Sequence, residues 1–400
     1  MRPNTSLRAV AALAVPILLG TAGTVHAKPC NDPSIVNPIY GLGGSSSKPL
    51  LAKLSQALAS LPAPNTATIV FQAPGACTGI YALVNGTTIT GTASYWDATG
   101  VEQSCDLPAA GQVIDFANMG NSAALCPQAP SPLPDTIGDY QGPVNNYDFI
   151  VPVGSSQSSI SAAGAYFVFG FGAAGQASPW INEAEIIIRD QNSAVQQLIG
   201  SAIGVSADKW KYGVNGASQS GVIAKVGSAT DPEAAIGVIS GESADGARAT
   251  VKVLAYQHYG QSCGYLPDSS NIAHDRKNVR DGHYFIWTPQ HFFALKDPTT
   301  GVITSPGARQ LIGYFTGAVP LPAGVDLIKI EASAGTIPEC AMHVWRTGDL
   351  GDLQTHTPAK ACNGYFESLT GGTTAKACPN GPTDCTSEAP ACNYGYCEVQ

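Results

Sequence analysis

The chain has 400 residues, of which 44% are hydrophobic and 12% are charged, with 44 glycines and 29 prolines. This length and apolar content suffice for one or two globular domains, while the glycine and proline content argues against a coiled coil or a long helical bundle. A formal net charge of −9 provides no basic surface for a phosphate backbone, so we expect no nucleic-acid partner.

The first 27 residues have the pattern of a secretory signal peptide. Arg2 and Arg8 precede an apolar run over 9–19, and residues 25–27 (VHA) end in a small residue suited to cleavage. Cys30 follows directly, but the residues before it differ from those that precede a lipid-modified cysteine. No later stretch reaches about 18 uninterrupted apolar residues, so we expect a periplasmic or secreted protein that does not span a membrane.

Short apolar runs alternate with helix-like patterns along the rest of the chain. The predicted strands are 68–72 (TIVFQ), 149–153 (FIVPV), 166–169 (YFVF), 185–189 (EIIIR), 236–239 (IGVI) and 251–255 (VKVLA). Residues 48–61 and 193–203 predict helices, because their apolar residues recur on one helical face. Residues 127–146, rich in proline, glycine and asparagine, predict a connector near a domain boundary. Strands followed by helices in this order predict an α/β sheet.

Four loops that follow predicted strands and open helices carry glycine and small hydroxyl or amide residues. They are residues 41–47 (GLGGSSS), 75–80 (GACTGI), 115–122 (DFANMGNS) and 189–193 (RDQNS). Helix N-termini expose unpaired N–H groups, so loops that converge would bind an anion, and Arg189 would add a bidentate contact. Each loop alone is equally explained by helix capping, but the common position of all four favours a shared anion site.

In their order and spacing these loops resemble the phosphate-binding periplasmic proteins of the type 2 solute-binding superfamily. The family loops read roughly G-A-G-A-T, G-S-G-x-G-I, D-F-x-x-S-D-A-P-L and R-x-D-x-S-G-T, and the match continues at 221–226 (GVIAKV) and 236–239 (IGVI). The resemblance covers about residues 35–260 and implies a divergent member of the family. It also implies a two-lobed α/β fold, each lobe a mixed sheet flanked by helices, with the ligand in a hinged cleft.

After the signal peptide of residues 1–27, the resemblance implies that residues 28–145 and 258–345 form a discontinuous lobe I. Residues 146–257 form lobe II, and residues 346–400 are a cysteine-rich C-terminal extension. The ligand-binding residues that the resemblance implies are Ser45, Ser46, Ser47, Thr78, Ser122, Arg189, Gln191 and Ser193.

Two of these positions depart from the family pattern. Ser122 and Gln191 align with positions where the family has an aspartate. An acidic acceptor takes the proton of a partly protonated phosphate and repels a fully ionised anion. Its loss therefore removes this selectivity for a protonated anion. We therefore expect a monomer that holds a small oxyanion, phosphate with weakened discrimination against sulfate, or another small polar ligand. Its role would be uptake, scavenging or sensing, with an ABC-type permease as a candidate partner and no cofactor.

All 11 cysteines follow the signal, and an oxidising compartment favours disulfides, with at least one cysteine left over. Four of them crowd the last 23 residues and predict a disulfide-stapled tail: Cys378, Cys385, Cys392 and Cys397. Their spacing contains no C-x₂-C pair and no histidine lies among them, which argues against a zinc site.

Two other functions stay open. The extension after about residue 340 would suit a surface or matrix attachment protein built on a degenerate binding scaffold. Residues 216–220 (GASQS) approach a nucleophile elbow, in which Ser218 would serve a hydrolase, but the last position is serine rather than glycine. The histidines after the signal have no metal-ligand spacing, so we interpret them as surface or core hydrogen-bonding groups. We expect no metal site and no catalytic residue, and hence not an enzyme.

Overall fold

The computed structural model describes residues 27–399; residues 1–26, on which the signal-peptide prediction rests, lie outside them. The strands are β1 Lys28–Pro29, β2 Pro38–Gly43, β3 Thr68–Gln72, β4 Thr92–Trp96, β5 Glu102–Asp106, β6 Phe116–Met119, β7 Ile137–Pro152, β8 Ser159–Ser161, β9 Ile186–Ile188, β10 Val214–Asn215, β11 Ile236–Ser240, β12 Val251–Val253, β13 Ala255–Gln257, β14 Trp287–Leu295, β15 Val344–Trp345, β16 Gln354–Thr355, β17 Ala391–Asn393 and β18 Tyr396–Glu398. The α-helices are α1 Lys48–Ala59, α2 Ala76–Asn85, α3 Ala162–Phe171, α4 Ala194–Ile203, α5 Gln219–Gly227, α6 Gly241–Asp245, α7 Lys277–Arg280, α8 Pro306–Thr316, α9 Leu327–Ser333 and α10 Asn363–Leu369.

Strand β7 joins two half-sheets. The strand order is β1-β5-β4-β3-β2-β6-β14-β7-β11-β9-β10, and β12 also pairs with β7. Residues 137–146 of β7 pair with β14, and from Tyr147 onward the antiparallel partner is β11. Parallel pairs occur in both halves, β2 with β3 and β6 in the first and β9 with β10 and β11 in the second. This mixed α/β arrangement in two halves confirms the predicted fold class, whereas the predicted lobe boundaries stay a prediction.

A glycine and a proline fix the position of the first loop. A Cβ atom at Gly43 would collide with the carbonyl of Asn118, so only glycine lets β2 approach β6 this closely. At the next turn, Pro49 lies at the start of α1, where its missing N–H costs no helical hydrogen bond. Leu50, Leu51 and Leu54 then bury the inner face of α1, as their spacing predicts. The loop that contains the predicted serines is therefore fixed at both ends.

Two predicted elements are wrong. Residues 166–169 lie in helix α3 rather than in a strand, and Ser161 caps this helix by accepting the Gly164 N–H at 3.0 Å. A four-residue apolar run fits a buried strand and a buried helix equally well, and the alanines around it favour the helix. The predicted connector 127–146 becomes strand β7 from Ile137 onward, because pairing with β14 outweighs its glycine and asparagine content.

Five disulfides hold the chain. They are Cys30–Cys105, Cys77–Cys126, Cys340–Cys362, Cys378–Cys392 and Cys385–Cys397, and the unpaired cysteine of the described chain is the exposed Cys263. The prediction of a disulfide-stapled tail is therefore confirmed. Phe366 of α10 packs in the same core cluster as Tyr147 and Trp287, so the tail also completes the main core. Within residues 27–399, no helix has both the length and the apolar character needed to cross a bilayer.

Candidate functional site

The four predicted loops meet through backbone hydrogen bonds. The Gly75 N–H donates to the carbonyl of Gly43 at 3.3 Å, and the Gly44 N–H donates to the carbonyl of Asn118 at 3.1 Å. The Ala76 N–H, at the start of α2, donates to the carbonyl of Asn192 at 3.1 Å. This last bond joins a loop of the first half-sheet to a loop of the second.

A buried glutamine reinforces the convergence. Gln197 of α4 accepts a hydrogen bond from the Asn121 amide at 2.8 Å. Its own amide donates to the carbonyl of Gln191 at 2.8 Å and to the sulfur of Cys77 at 3.1 Å. One side chain thereby contacts three of the four loops.

The predicted residues of the first half-sheet lie at this junction. Ser45, Ser46 and Ser47 form a 3₁₀ turn before α1, and the hydroxyl of Ser47 is buried with no hydrogen-bond partner in the described chain. The Thr78 hydroxyl donates to the carbonyl of Gly75 at 2.6 Å, which is a bond within the start of α2. The Ser47 hydroxyl is therefore a fully buried group of this loop with unused hydrogen-bonding capacity.

The remaining predicted residues differ in what they contact. The Ser122 N–H donates to the carboxylate of Asp349 at 2.6 Å, so a protein anion already occupies this group. Gln191 is exposed, and Ser193 is buried at the start of α4 without a side-chain capping bond. The structure brings the loops together, while the ligand role of the predicted residues stays a prediction.

Arg189 is a buried cation without a counterion. Its side chain follows the end of β9 and is only 6% exposed. One terminal nitrogen donates to the carbonyl of Ala217 at 3.4 Å, whereas Nε and the other terminal nitrogen have no partner in residues 27–399. Burial lowers the pKa of Arg189, and the charge of Asp190 opposes that effect only in part. A buried guanidinium with free N–H groups provides the chemistry that binds an anion.

An open cavity of about 820 Å³ lies beside the loop that Arg189 contacts. On one side it is lined by Ser45 and Lys48 at the start of α1, and on the other by Ser218 and Ser220 at the start of α5. Lys48 is paired with the carboxylate of Glu102 at 2.5 Å. We call this space the interlobe cavity; Ser45 is the one predicted residue that lines it.

A charged network that the sequence analysis missed lies beside Ser122. His291 of β14 has Nδ1 at 2.7 Å from the carboxylate of Asp139 and Nε2 at 3.7 Å from that of Asp349. Burial disfavours its charged form, but these two carboxylates prevail and raise the pKa of His291 to about 9. Asp349 also accepts the hydroxyl of Thr288 at 2.6 Å. His291 therefore confirms the interpretation of a histidine as a core hydrogen-bonding group.

Arg346 and Asp349 bring the tail into this network. One terminal nitrogen of Arg346 donates to the carbonyls of Phe285 and Trp287, and its guanidinium lies over both rings, 4.6 and 4.3 Å from their centres. The segment from Arg346 to Asp349 (RTGD) has no apolar periodicity, so its sequence does not predict burial in a core. The signal that could have indicated this network was His291 itself, because the other residues of β14 are uncharged.

Comparison with protein-family models gives no match, and comparison with curated proteins gives none. Solved structures with a similar fold include a putative phosphate ABC transporter substrate-binding protein with bound phosphate from Clostridium perfringens. It is 13% identical, with a TM-score of 0.49 over 76% of this chain and 99% of that one. An ABC-type phosphate transport receptor from Vibrio cholerae is 15% identical, with a TM-score of 0.48 over 75% and 99%. A reduced OxyR regulatory domain from Pseudomonas aeruginosa is 10% identical, with a TM-score of 0.39 over 72% and 100%.

Phosphate-binding transport proteins thus stand among the structural neighbours of this chain, at low sequence identity. The likeness concerns the fold, and the neighbours also include a regulatory domain.

Proposed function

We propose that this chain is an exported solute-binding protein that holds a small, phosphate-like oxyanion between its two halves. The observation that carries the proposal is Arg189, a cation 6% exposed whose Nε and one terminal nitrogen lack partners in the described chain. An unpaired buried charge costs several kcal/mol, so a fold that retains one gains by binding a counterion there.

The surroundings of Arg189 favour a small anion over a large one. Arg189 contacts the carbonyl of Ala217. The next residue, Ser218, lines the interlobe cavity opposite Ser45. Helices α1 and α5 begin at this cavity, so their first N–H groups add partial positive charge. Backbone hydrogen bonds of 3.1 to 3.3 Å hold the loops near Arg189 and Ser47 together, so the groups that would contact a small anion are fixed in position.

Calorimetry on the ligand-stripped protein with phosphate, sulfate and arsenate tests the proposal. Arg189→Met keeps the apolar stem and removes the charge, and we expect it to weaken binding about 100-fold or more. Its unfolding free energy without ligand should be unchanged or higher, because the unpaired charge is gone. Arg309→Met is the matched control, since Arg309 donates to the carbonyl of Ile303 at 2.9 and 2.7 Å. No heat with any anion, or equal binding by both variants, would refute the assignment.

Ser218 has surroundings that suit a helix cap better than a nucleophile. Its hydroxyl accepts the Gly221 N–H at 3.0 Å and lies 3.0 Å from the hydroxyl of Ser220. Neither partner is a base, whereas a nucleophilic serine needs one within hydrogen-bond reach. A non-enzymatic role is therefore part of the proposal, and labelling of Ser218 by a fluorophosphonate probe would contradict it.

Uptake, scavenging or sensing would follow from anion binding, with a permease as partner for uptake. The attachment alternative is less favoured, because Arg346 and Phe366 of the extension are buried in the core of the binding scaffold. An attachment module would be expected to fold apart from the scaffold that carries it.

A further inference from the structure

A second cavity, of about 670 Å³, lies where the C-terminal extension meets α8, α9 and β7. We call it the C-terminal pocket. Apolar side chains of Phe315, Leu321 and Val325 line it, together with the aromatic rings of Trp345 and Tyr394. It shares no lining residue with the interlobe cavity, so an occupant would be a second ligand.

Glu331 is the unexplained group in this pocket. It lies on α9, is only 5% exposed and lines the cavity, yet its carboxyl group has no hydrogen-bond or ion-pair partner in residues 27–399. Buried carboxyl groups are normally paired or hydrogen-bonded, because leaving them unpaired costs free energy. Burial raises the pKa of Glu331 to about 8, and the nearby Glu339 and Asp326 add to that effect. A cation beside Glu331 would remove the cost.

The charged residues that line the pocket are all acidic. Asp326 and Glu339 also line it, and no lysine, arginine or histidine does so within the described chain. The carboxylates are partly engaged at the rim, where Asp326 accepts the hydroxyl of Tyr365 and Glu339 pairs with His356. Of the three lining acids, Glu331 is the one whose side chain forms no hydrogen bond or ion pair within residues 27–399.

The aromatic wall already binds one ammonium group of the chain. Lys360 Nζ lies 4.1 Å from the ring centre of Tyr394, which is cation–π geometry. A metal ion fits less well, because the oxygens of Asp326, Glu331 and Glu339 do not lie close enough together to share one in residues 27–399. An apolar wall with one buried acid suits an organic ligand that has one charged end.

We propose that the C-terminal pocket binds an organic ammonium compound with an apolar or aromatic body, whose charged end pairs with Glu331. The ammonium group would donate to the Glu331 carboxylate, while the body displaces water from Phe315, Leu321 and Val325. This site is independent of the anion proposed for the interlobe cavity, so either proposal can fail alone.

Phenethylamine is a suitable probe, and 2-phenylethanol is its neutral counterpart of similar shape. Calorimetry on the full chain should show phenethylamine binding at least about tenfold tighter, because a charged partner strengthens a buried hydrogen bond. Glu331→Gln should remove that preference while leaving 2-phenylethanol unaffected. Glu388→Gln, an exposed change in the same extension with the same loss of charge, is the control.

A second variant keeps the test valid if Glu331→Gln fails to fold. Leu321 is 38% exposed at the rim, so Leu321→Trp should fill the pocket without disturbing the core and should block phenethylamine. Equal affinities for the two probes, unchanged affinity in Glu331→Gln, or no binding of phenethylamine to the wild-type protein would overturn the proposal. Sulfate binding measured on the same samples reports separately on the interlobe site.

Discussion

Glu331 lines the C-terminal pocket, and Arg189 contacts the loop beside the interlobe cavity, so the two buried side chains have opposite charge. Two nitrogens of Arg189 have no hydrogen-bond partner in residues 27–399, and Glu331 is a buried acid that lines the second cavity. Arg276 shows what the same fold does for a structural charge, because this equally buried guanidinium is paired with both Asp245 and Asp268. Arg276 is thus neutralised internally, whereas the proposed ligands would neutralise Arg189 and Glu331.

The C-terminal pocket needs the C-terminal extension to be part of the core, because the pocket otherwise has no fixed wall. Phe366 is 1% exposed, so Phe366→Ala should lower the unfolding free energy by about 4 kcal/mol in a denaturant titration. Val399→Ala, at an exposed site near the end, should stay within about 0.5 kcal/mol. Deleting residues 346–400 should abolish folding; a folded product that keeps anion affinity but loses surface retention would instead favour the attachment role.

The contribution of the charge on His291 to stability can be identified by its dependence on pH. The folded-state pKa of His291 is about 9, above the ordinary value of 6.5, so its stabilisation is complete below about pH 6.5 and is lost as the pH rises through 9. The pH-dependent part of the deficit in His291→Gln should be about 3 kcal/mol at pH 6 and near zero at pH 9.5. Unfolding curves at both values check this, and a deficit independent of pH would contradict a charged histidine.

A smaller effect sharpens the anion proposal itself. The Asp349 carboxylate accepts the Ser122 N–H and would repel an anion bound near it. If the anion binds there, Asp349→Asn should raise sulfate affinity about fivefold. The measurement is best made at pH 6, where Asp139 keeps His291 protonated. Thr288→Val removes a hydrogen bond to the same carboxylate without changing its charge and serves as control. Weaker sulfate binding by Asp349→Asn would place the ligand elsewhere.

Much of the fold could be predicted because its signals are local. The apolar run 68–72 became β3 with the predicted bounds, and the leucine spacing in 48–61 produced α1. Residues 137–146 could not be assigned, because their strand depends on β14, which lies about 150 residues further along the chain. Composition indicates the conformation that a segment prefers in isolation, whereas the formation of a central strand depends on the strands that pair with it.

The site divides in the same way. Arg189 and the serines of the first loop were found because each belongs to a short motif. Asp349 could not be found, since its contacts with Ser122 and Thr288 link positions far apart in the sequence. Glu331 looked like any helical glutamate, and its burial depends on the tertiary packing around α9.

The backbone bond between Ala76 and Asn192 links the two halves directly. Under the proposed function, a movement that parts the halves would break this bond, whereas bending within either half would leave it intact. Exchange of the Ala76 amide proton with solvent deuterium would then report that movement. Its protection factor would measure how often the two halves separate enough to admit a solute.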